Sequence, residues 1–274
     1  MISATDVKKL RDMTNAGMMD CKQALTEANG DIELAIEILR KKGQKLSIKR
    51  ADREAKDGVV IALVSDDRKR GIVIRLSSET DFVAKNEDFI KLAKDFAQLA
   101  LDNFPADRET LLGLKYNGIT VGDKVVEQVG VIGEKIELSD YEKLESDLVV
   151  PYIHMGYRAG VIVGLNKNGT QVTEAGKNLA MQIAAMKPIA IDKEDVDQSI
   201  IDKEIEIGKE QARQEGKPEQ MIDQIAKGKL GKFFKESTLL GQSYVKDSTL
   251  TVRDYLKSVG DGVIVTGFRH VALG

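Results

Sequence analysis

The chain has 274 residues, 42% of them hydrophobic and 31% charged, a globular balance with room for two or three compact units at roughly 100–200 residues each. Its 41 Lys and Arg against 44 Asp and Glu leave a net charge of -3, which excludes a global field that recruits a polyanion or a basic partner. The one cysteine, Cys21, excludes an internal disulfide framework and fits a reducing compartment; with no apolar run of about 18 residues and no basic-then-apolar leader, neither a membrane span nor a secretory signal is expected, and the expected location is cytoplasmic.

Residues 1–43 read as a three-helix N-terminal domain. Ser3 with Asp6 three positions on makes a capping box, Val7, Leu10 and Met13 recur at helical spacing, and Gly17 breaks the pattern. Cys21, Ala24, Leu25 and Ala28 share one face of a second helix. A third starts at Asp31, turns Ile32, Ala35, Ile36 and Leu39 inward, and is expected to stop at Gly43. Residues 44–56, "QKLSIKRADREAK", have weak periodicity and excess Lys and Arg; they read as a basic connector with some helical content.

Residues 57–140 read as a first α+β subdomain. "GVVIALVSDD" and "GIVIRLSS" are β-branched runs around a polar turn, the pattern of a hairpin. A helix follows with Asn86 as N-cap, Glu87 and Asp88 at the positive end of its dipole, and Phe89, Leu92, Ala93, Phe96, Leu99 and Ala100 as its buried stripe.

A second α+β subdomain, 141–274, is expected from a weak internal repeat: "RGIVIRL" (70–76) then a helix is echoed by "RAGVIVGL" (158–165) then "TEAGKNLAMQIAAMKP" (173–188). Each half would hold an antiparallel sheet backed by helices. The second would draw strands from 134–141, 147–155 and, after a long excursion, 262–273. The excursion, about 192–236, has Ile200, Ile201, Ile205 and Ile207 before "QEGKPEQ" and Met221, Ile222 and Ile225 after it. That pattern predicts a helical-hairpin arm, the alternative being two helices lying flat on the body.

Motifs of covalent chemistry are absent. His154 and His270 fall in predicted strands without a second ligand at zinc-like spacing, Cys21 lies on an inward helix face, and no phosphate-cradling loop, nucleophile elbow or dinucleotide fingerprint occurs. The best enzymatic alternative is a divalent-metal site built from Glu79, Asp81, Glu87 and Asp88. A further alternative is an RNA-binding accessory using Lys41, Lys42, Lys45, Lys49, Arg50, Arg53 and Lys56.

Two places resist a packing explanation. Met18 and Met19 are adjacent, so one narrow helix stripe cannot bury both, and at least one is expected at the surface. In "SSETDFVAKNEDF" (77–89), Thr80 is placed to cap a short turn, and Phe82 and Val83 then point to different faces; periodicity leaves Phe82 open between core and surface.

"LRDMTNAGMMDCKQAL" (10–25) followed by "EANGDIELAIEILRKKG", "TDFVAKNEDF" (80–89) and "YIHMGYRAGVIV" (152–163) closely resemble the bacterial translation elongation factor Ts family, in order and over essentially the whole chain. The resemblance implies a ubiquitin-associated-like bundle, two related α+β subdomains with a hairpin arm, and guanine-nucleotide exchange on elongation factor Tu without covalent chemistry or a cofactor. The nucleotide would be bound by the partner, and no direct nucleic-acid binding is implied. Carried onto this sequence, it makes Asp81 and Phe82 the element inserted into the GTPase to dislodge Mg²⁺ and GDP, with Thr80 and Val83 framing it. Leu10, Arg11, Met18 and Met19 would touch the nucleotide-binding domain, and His154 another GTPase domain. The chain departs from the family at Arg75, Leu76 and Ser77, where an acidic residue, an apolar residue and Asn are usual.

Overall fold

The structure, a computed structural model, describes residues 2–274. It opens with α1 (Ala4–Thr14), α2 (Met18–Glu27) and α3 (Ile32–Lys49), then the hairpin β1 (Asp57–Val64) and β2 (Arg70–Ser78). A four-residue helix, α4 (Asp81–Ala84), leads into α5 (Glu87–Asn103). Next come α6 (Arg108–Gly113), the small hairpin β3 (Lys115–Tyr116) and β4 (Ile119–Thr120), and α7 (Val121–Ile132). The strands β5 (Glu137–Glu145), β6 (Leu148–Ile153) and β7 (Ala159–Leu165) precede α8 (Thr170–Met186), α9 (Gln198–Gln214) and α10 (Glu219–Ser237). The chain closes with β8 (Ser243–Tyr244), β9 (Asp247–Thr251), α11 (Val252–Val259) and β10 (Val265–Ala272).

Two three-stranded antiparallel sheets, ordered β1-β2-β5 and β10-β7-β6, carry this α+β fold. They pack face to face and each is covered on its outer side by a helix, giving layers α5, sheet, sheet, α8. Strand alternation explains the arrangement, because successive side chains point to opposite faces. In β1 and β2, Val59, Ile61, Ile72, Ile74 and Leu76 face α5, while Val60, Ala62 and Val73 face the other sheet. In β6 and β7, Leu148, Val150, Val161, Val163 and Leu165 face α8, while Val149 and Ile162 meet the first sheet. Strands buried on both faces read as unbroken apolar runs, which is why "GVVIALV" and "GVIVGL" lack alternation in sequence. The expected repeat is thus a structural one: β2 and β7 are each the middle strand of their sheet and each is followed by a covering helix.

Three expectations are corrected. The strand expected at 134–141 does not join the second sheet; β5 pairs with β2, Ile74 opposite Tyr141 and Leu76 opposite Leu138, and adds Leu138 and Tyr141 to the core beneath α5. Both sheets have an open edge, and an apolar pattern carries no label for which edge it will join. The third helix does not stop at Gly43 but runs to Lys49. Gly43 is a contact point: a Cβ there would lie 3.0 Å from the Val126 carbonyl oxygen, and one at Gly130 3.0 Å from Gly43 Cα, so the two glycines let α3 and α7 cross closely. Met13 is exposed and Thr14 is buried in its place, its hydroxyl donating to Leu10 O at 2.8 Å, because a 3.6-residue period carries the inward face from Leu10 to Thr14.

The arm has the expected form. Residues 198–237 do form an antiparallel helical hairpin whose two helices pack on each other and on no other element extensively. Its seam is made of Gly208, Ala212, Ile222 and Ala226, while Ile200 and Ile207 are each 38% exposed. Gly208 sets the seam, a Cβ there falling 3.2 Å from Ala226 Cα. At the base, Leu239 N–H donates to Ala190 O and Leu240 N–H to Ile191 O, each at 2.9 Å, and the buried side chain of Gln242 donates to Glu236 O at 2.9 Å. The arm is therefore closed at its root before it leaves the body.

Two outcomes are expected. Gly71→Val should lower stability by about 1–3 kcal/mol in urea unfolding, since a Cβ at Gly71 lies 2.6 Å from Val149 Cγ1 between the two sheets, where neither backbone can retreat. Replacing residues 198–236 by a short Gly–Ser linker should leave the main thermal transition within about 5 °C of the intact chain; a larger drop would show that the arm supports the core.

Candidate functional site

The chain leaves β2 at Ser78 and forms α4 before Asn86 starts α5. The Asn86 side chain accepts from Asp88 N–H at 2.9 Å and Phe89 N–H at 3.3 Å, so the long helix begins at the predicted place and Phe89 heads its buried stripe. That leaves Phe82 outside. It is 82% exposed, whereas its neighbour Val83 packs against the first core. The Asp81 carboxylate accepts from Lys85 Nζ at 2.6 Å, and this hydrogen bond holds its pKa below the usual carboxylate range.

A helix of four residues has no stability of its own, and α4 buries none of its residues fully. Thr80 does not cap it through its side chain, as the sequence led one to expect; both its donors turn to Glu134, the backbone N–H to Oε2 at 3.0 Å and the hydroxyl to Oε1 at 2.8 Å. Glu134 follows Gly133, which ends α7 in the left-handed region at φ 82°. Next to this contact, Glu79 accepts from Lys135 N–H at 2.6 Å, from Arg50 at 2.6 Å and from Arg53 at 3.2 Å. Lys135 Nζ in turn donates to the carbonyls of Ala51 and Arg53 at 3.0 and 2.9 Å. One small polar cluster thus ties the end of α3, the end of β2 and the segment after α7. Burial works to raise the pKa of Glu79, but the Lys135 N–H and the Arg50 guanidinium outweigh it and hold the carboxyl below its ordinary value.

Phe82 and Val83 also line a groove of about 410 Å³ with Arg11 and Asn15 from the N-terminal bundle, the start of α5 (Asn86, Asp88 and Phe89), and Gln128, Val131 and Ile132 from α7. Arg11 and Phe82, far apart in sequence, therefore share one recess. Met18 and Met19 are both outward, Met19 73% exposed. Leu10 is fully buried among Val7, Cys21 and Leu25, so it offers no surface and its place is beneath Arg11 in the bundle core. His154 stands exposed just after β6, its Nδ1 3.1 Å from the Tyr152 hydroxyl, beside Met155, which is 84% exposed.

The acidic residues do not converge. Glu79 is engaged by two arginines, Asp81 by Lys85, and Glu87 and Asp88 occupy the first turn of α5; among the described residues no three His, Cys, Asp or Glu side chains gather closely enough to hold a metal ion. The basic connector is also largely neutralised: Lys41 pairs with Glu37, Lys42 with Asp20, Arg50 and Arg53 with Glu79, and Lys56 with Glu54, leaving Lys45 and Lys49. Cys21 is buried, and burial raises its thiol pKa, as for a packing residue.

The family model described as "Elongation factor TS" matches residues 79–274, which include α4, α5, the whole second sheet and the arm. The chain belongs to the elongation factor Ts family. Curated members include the elongation factor Ts proteins of Christiangramia forsetii and Flavobacterium psychrophilum, each 53% identical over 273 residues and covering all of this chain and 99% of the relative. That of Porphyromonas gingivalis is 44% identical over 99% of this chain and 98% of its own. These full-length matches extend the family over the N-terminal bundle as well, and they assign the chain to translation elongation. Among the described residues no helix is long and apolar enough to cross a membrane.

The departure at Arg75, Leu76 and Ser77 is accommodated within this fold. Arg75 Nε lies 2.6 Å from Asp140 Oδ2 on the paired strand while its Nη1 donates to Ala272 O at 3.1 Å, linking the two sheets. Leu76 is fully buried, and the Ser77 hydroxyl lies 2.6 Å from that of Ser139. No local signal in the sequence marks Glu134, Lys135 or Gln128, because each lies some fifty residues from the segment it meets.

Because the folded-state pKa of Glu79 lies below its unfolded value of about 4.3, the stability it contributes is complete above that value and is lost as the pH falls through the folded one. Glu79→Gln should therefore destabilise the chain at pH 7 and flatten the acid limb of its stability profile below about pH 4.3, read as urea midpoints across the pH range.

Proposed function

We propose that this chain is the guanine-nucleotide exchange factor of elongation factor Tu: it binds the GDP-loaded GTPase in the cytoplasm, promotes loss of Mg²⁺ and GDP, and is displaced as GTP binds. The observation that carries this reading is a phenylalanine 82% exposed on a segment pinned from behind by Glu134 and Glu79. A large apolar side chain held in water by a rigid scaffold has its burial free energy still to gain, and gains it on a partner.

An exchange factor makes and breaks no covalent bond. It binds the nucleotide-free GTPase more tightly than the loaded one, and by linkage each ligand weakens the other's binding by the same factor. Asp81 and Phe82 enter the partner and shift the segments that support Mg²⁺ and the phosphates, and Thr80 and Val83 hold the entering turn. Loss of the ion removes the charge that neutralises the phosphates, so GDP leaves faster.

Arg11 extends the contact from the bundle, the groove it shares with Phe82 gives the GTPase a concave seat, and the exposed Met18 and Met19 add apolar surface on the same bundle. His154 and Met155 supply a second contact on the other half of the molecule. Leu10 takes part only as the packing that holds Arg11 in place.

Burying Phe82 in the partner is worth about 1.5–3 kcal/mol, which corresponds to roughly 10- to 100-fold in rate if the gain is confined to the open state. Phe82→Ala should slow stimulated release of fluorescent GDP from elongation factor Tu by that factor at subsaturating concentration of the chain. An unchanged rate would show that Phe82 does not act as a wedge.

A further inference from the structure

We infer that Glu134 is the positioning residue of this exchange factor: by accepting both donors of Thr80 it fixes the angle at which Phe82 leaves the body. The inference rests on the exchange reading above and adds to it a residue outside the inserted segment Thr80–Val83. Its starting point is that α4 cannot hold itself. The helix has one turn, no side-chain cap and no fully buried residue, yet it carries the most solvent-exposed phenylalanine among the described residues.

Two connections hold its N-terminal side. Ser78 Oγ donates to Thr80 O at 2.9 Å, which bends the chain out of β2. Glu134 then takes the Thr80 N–H and hydroxyl on its two separate oxygens at 3.0 and 2.8 Å, a bidentate grip that fixes orientation as well as distance. Glu134 is itself held, because the next residue's N–H donates to Glu79 at 2.6 Å, so residues 79–80 and 134–135 exchange hydrogen bonds in both directions. The Glu79 side of this lace joins α3 to the core and is structural. The Glu134 side ends at Thr80, two residues before Phe82, and so bears on the wedge.

Loss of this grip leaves the partner surface intact but lets the wedge swing. The consequence falls on the step in which Phe82 must enter the GTPase and much less on the encounter, which Arg11, the methionines and the second half of the molecule share. Glutamine can keep the grip, its carbonyl accepting from the Thr80 N–H and its amide donating to the hydroxyl oxygen; alanine cannot.

The test measures fluorescent GDP release from elongation factor Tu as a function of factor concentration for the full-length parent, Glu134→Ala, Glu134→Gln, Phe82→Ala and the Glu134→Ala/Phe82→Ala pair, each first checked for folding by circular dichroism. Glu134→Ala should lower the saturating rate by about tenfold while the half-saturating concentration stays within about twofold. Glu134→Gln should release GDP near the parent rate, and Glu134→Ala should add nothing once Phe82 is already alanine. If Glu134→Ala fails to fold, Thr80→Val, which removes the hydroxyl donor alone, replaces it and should show a smaller slowing that also vanishes in the Phe82→Ala background.

A parent-like rate for Glu134→Ala beside a slow Phe82→Ala overturns the inference and leaves the exchange reading in place. Slowing that persists in full without Phe82, that appears equally in Glu134→Gln, or that tracks a rise in half-saturation assigns Glu134 a general structural role and overturns it as well. A parent-like rate for Phe82→Ala removes the wedge and its positioning residue together.

Discussion

The contact between the two sheets governs the rest of this molecule. Val60, Ala62 and Val73 of one sheet meet Val149, Ile162 and Val271 of the other, and Gly71 and Gly160 bring the backbones close enough for the small side chains to fill the gap. With both inner faces used up in this way, each sheet must cover its outer face with a helix, and α5 and α8 take those positions. The direction in which α5 runs then decides where the chain can turn between β2 and the helix, and that turn is where α4 and Phe82 stand. The exposed phenylalanine is a consequence of the layer order.

A rigid body alone does not hold a four-residue helix, and the polar cluster around Glu79 and Glu134 completes the job. Its placement at the meeting of α3, β2 and the end of α7 gives it two effects from one set of residues. Arg50 and Arg53, on the extension of the third helix, lock the bundle onto the core; Lys135 and Glu134 lock the turn that carries Phe82. The close crossing of α3 and α7 at Gly43 and Gly130 serves the same end, since it sets the bundle at the distance where Arg11 and Phe82 can face one groove.

The arm follows a different logic. Its helices are joined by a seam of small residues and by exposed ion pairs such as Lys229 with Glu215, contacts that stabilise a hairpin locally without burying it in the body. What ties it down is its root, where residues 189–191 run beside 237–240 and Gln182 and Gln242 bond inside the second half. The body can therefore fold around the root without consulting the length of the arm.

Much of this was legible from residue order because the signals are local. The capping box of Ser3 and Asp6, the N-cap at Asn86, the β-branched strand runs, the repeat of strand and helix, and the helix pair around "QEGKPEQ" each depend on neighbours within a turn or two, and the family motifs add to them. Four matters were decided only in three dimensions. Which sheet takes β5, whether Gly43 ends a helix or seats one, which residues form the seam of the arm, and what holds Phe82 outside all depend on partners far away in sequence. Periodicity states that a face is apolar and leaves open what covers it; Glu134 meets Thr80 fifty-four residues away only because β2 and α7 end at the same corner of the fold.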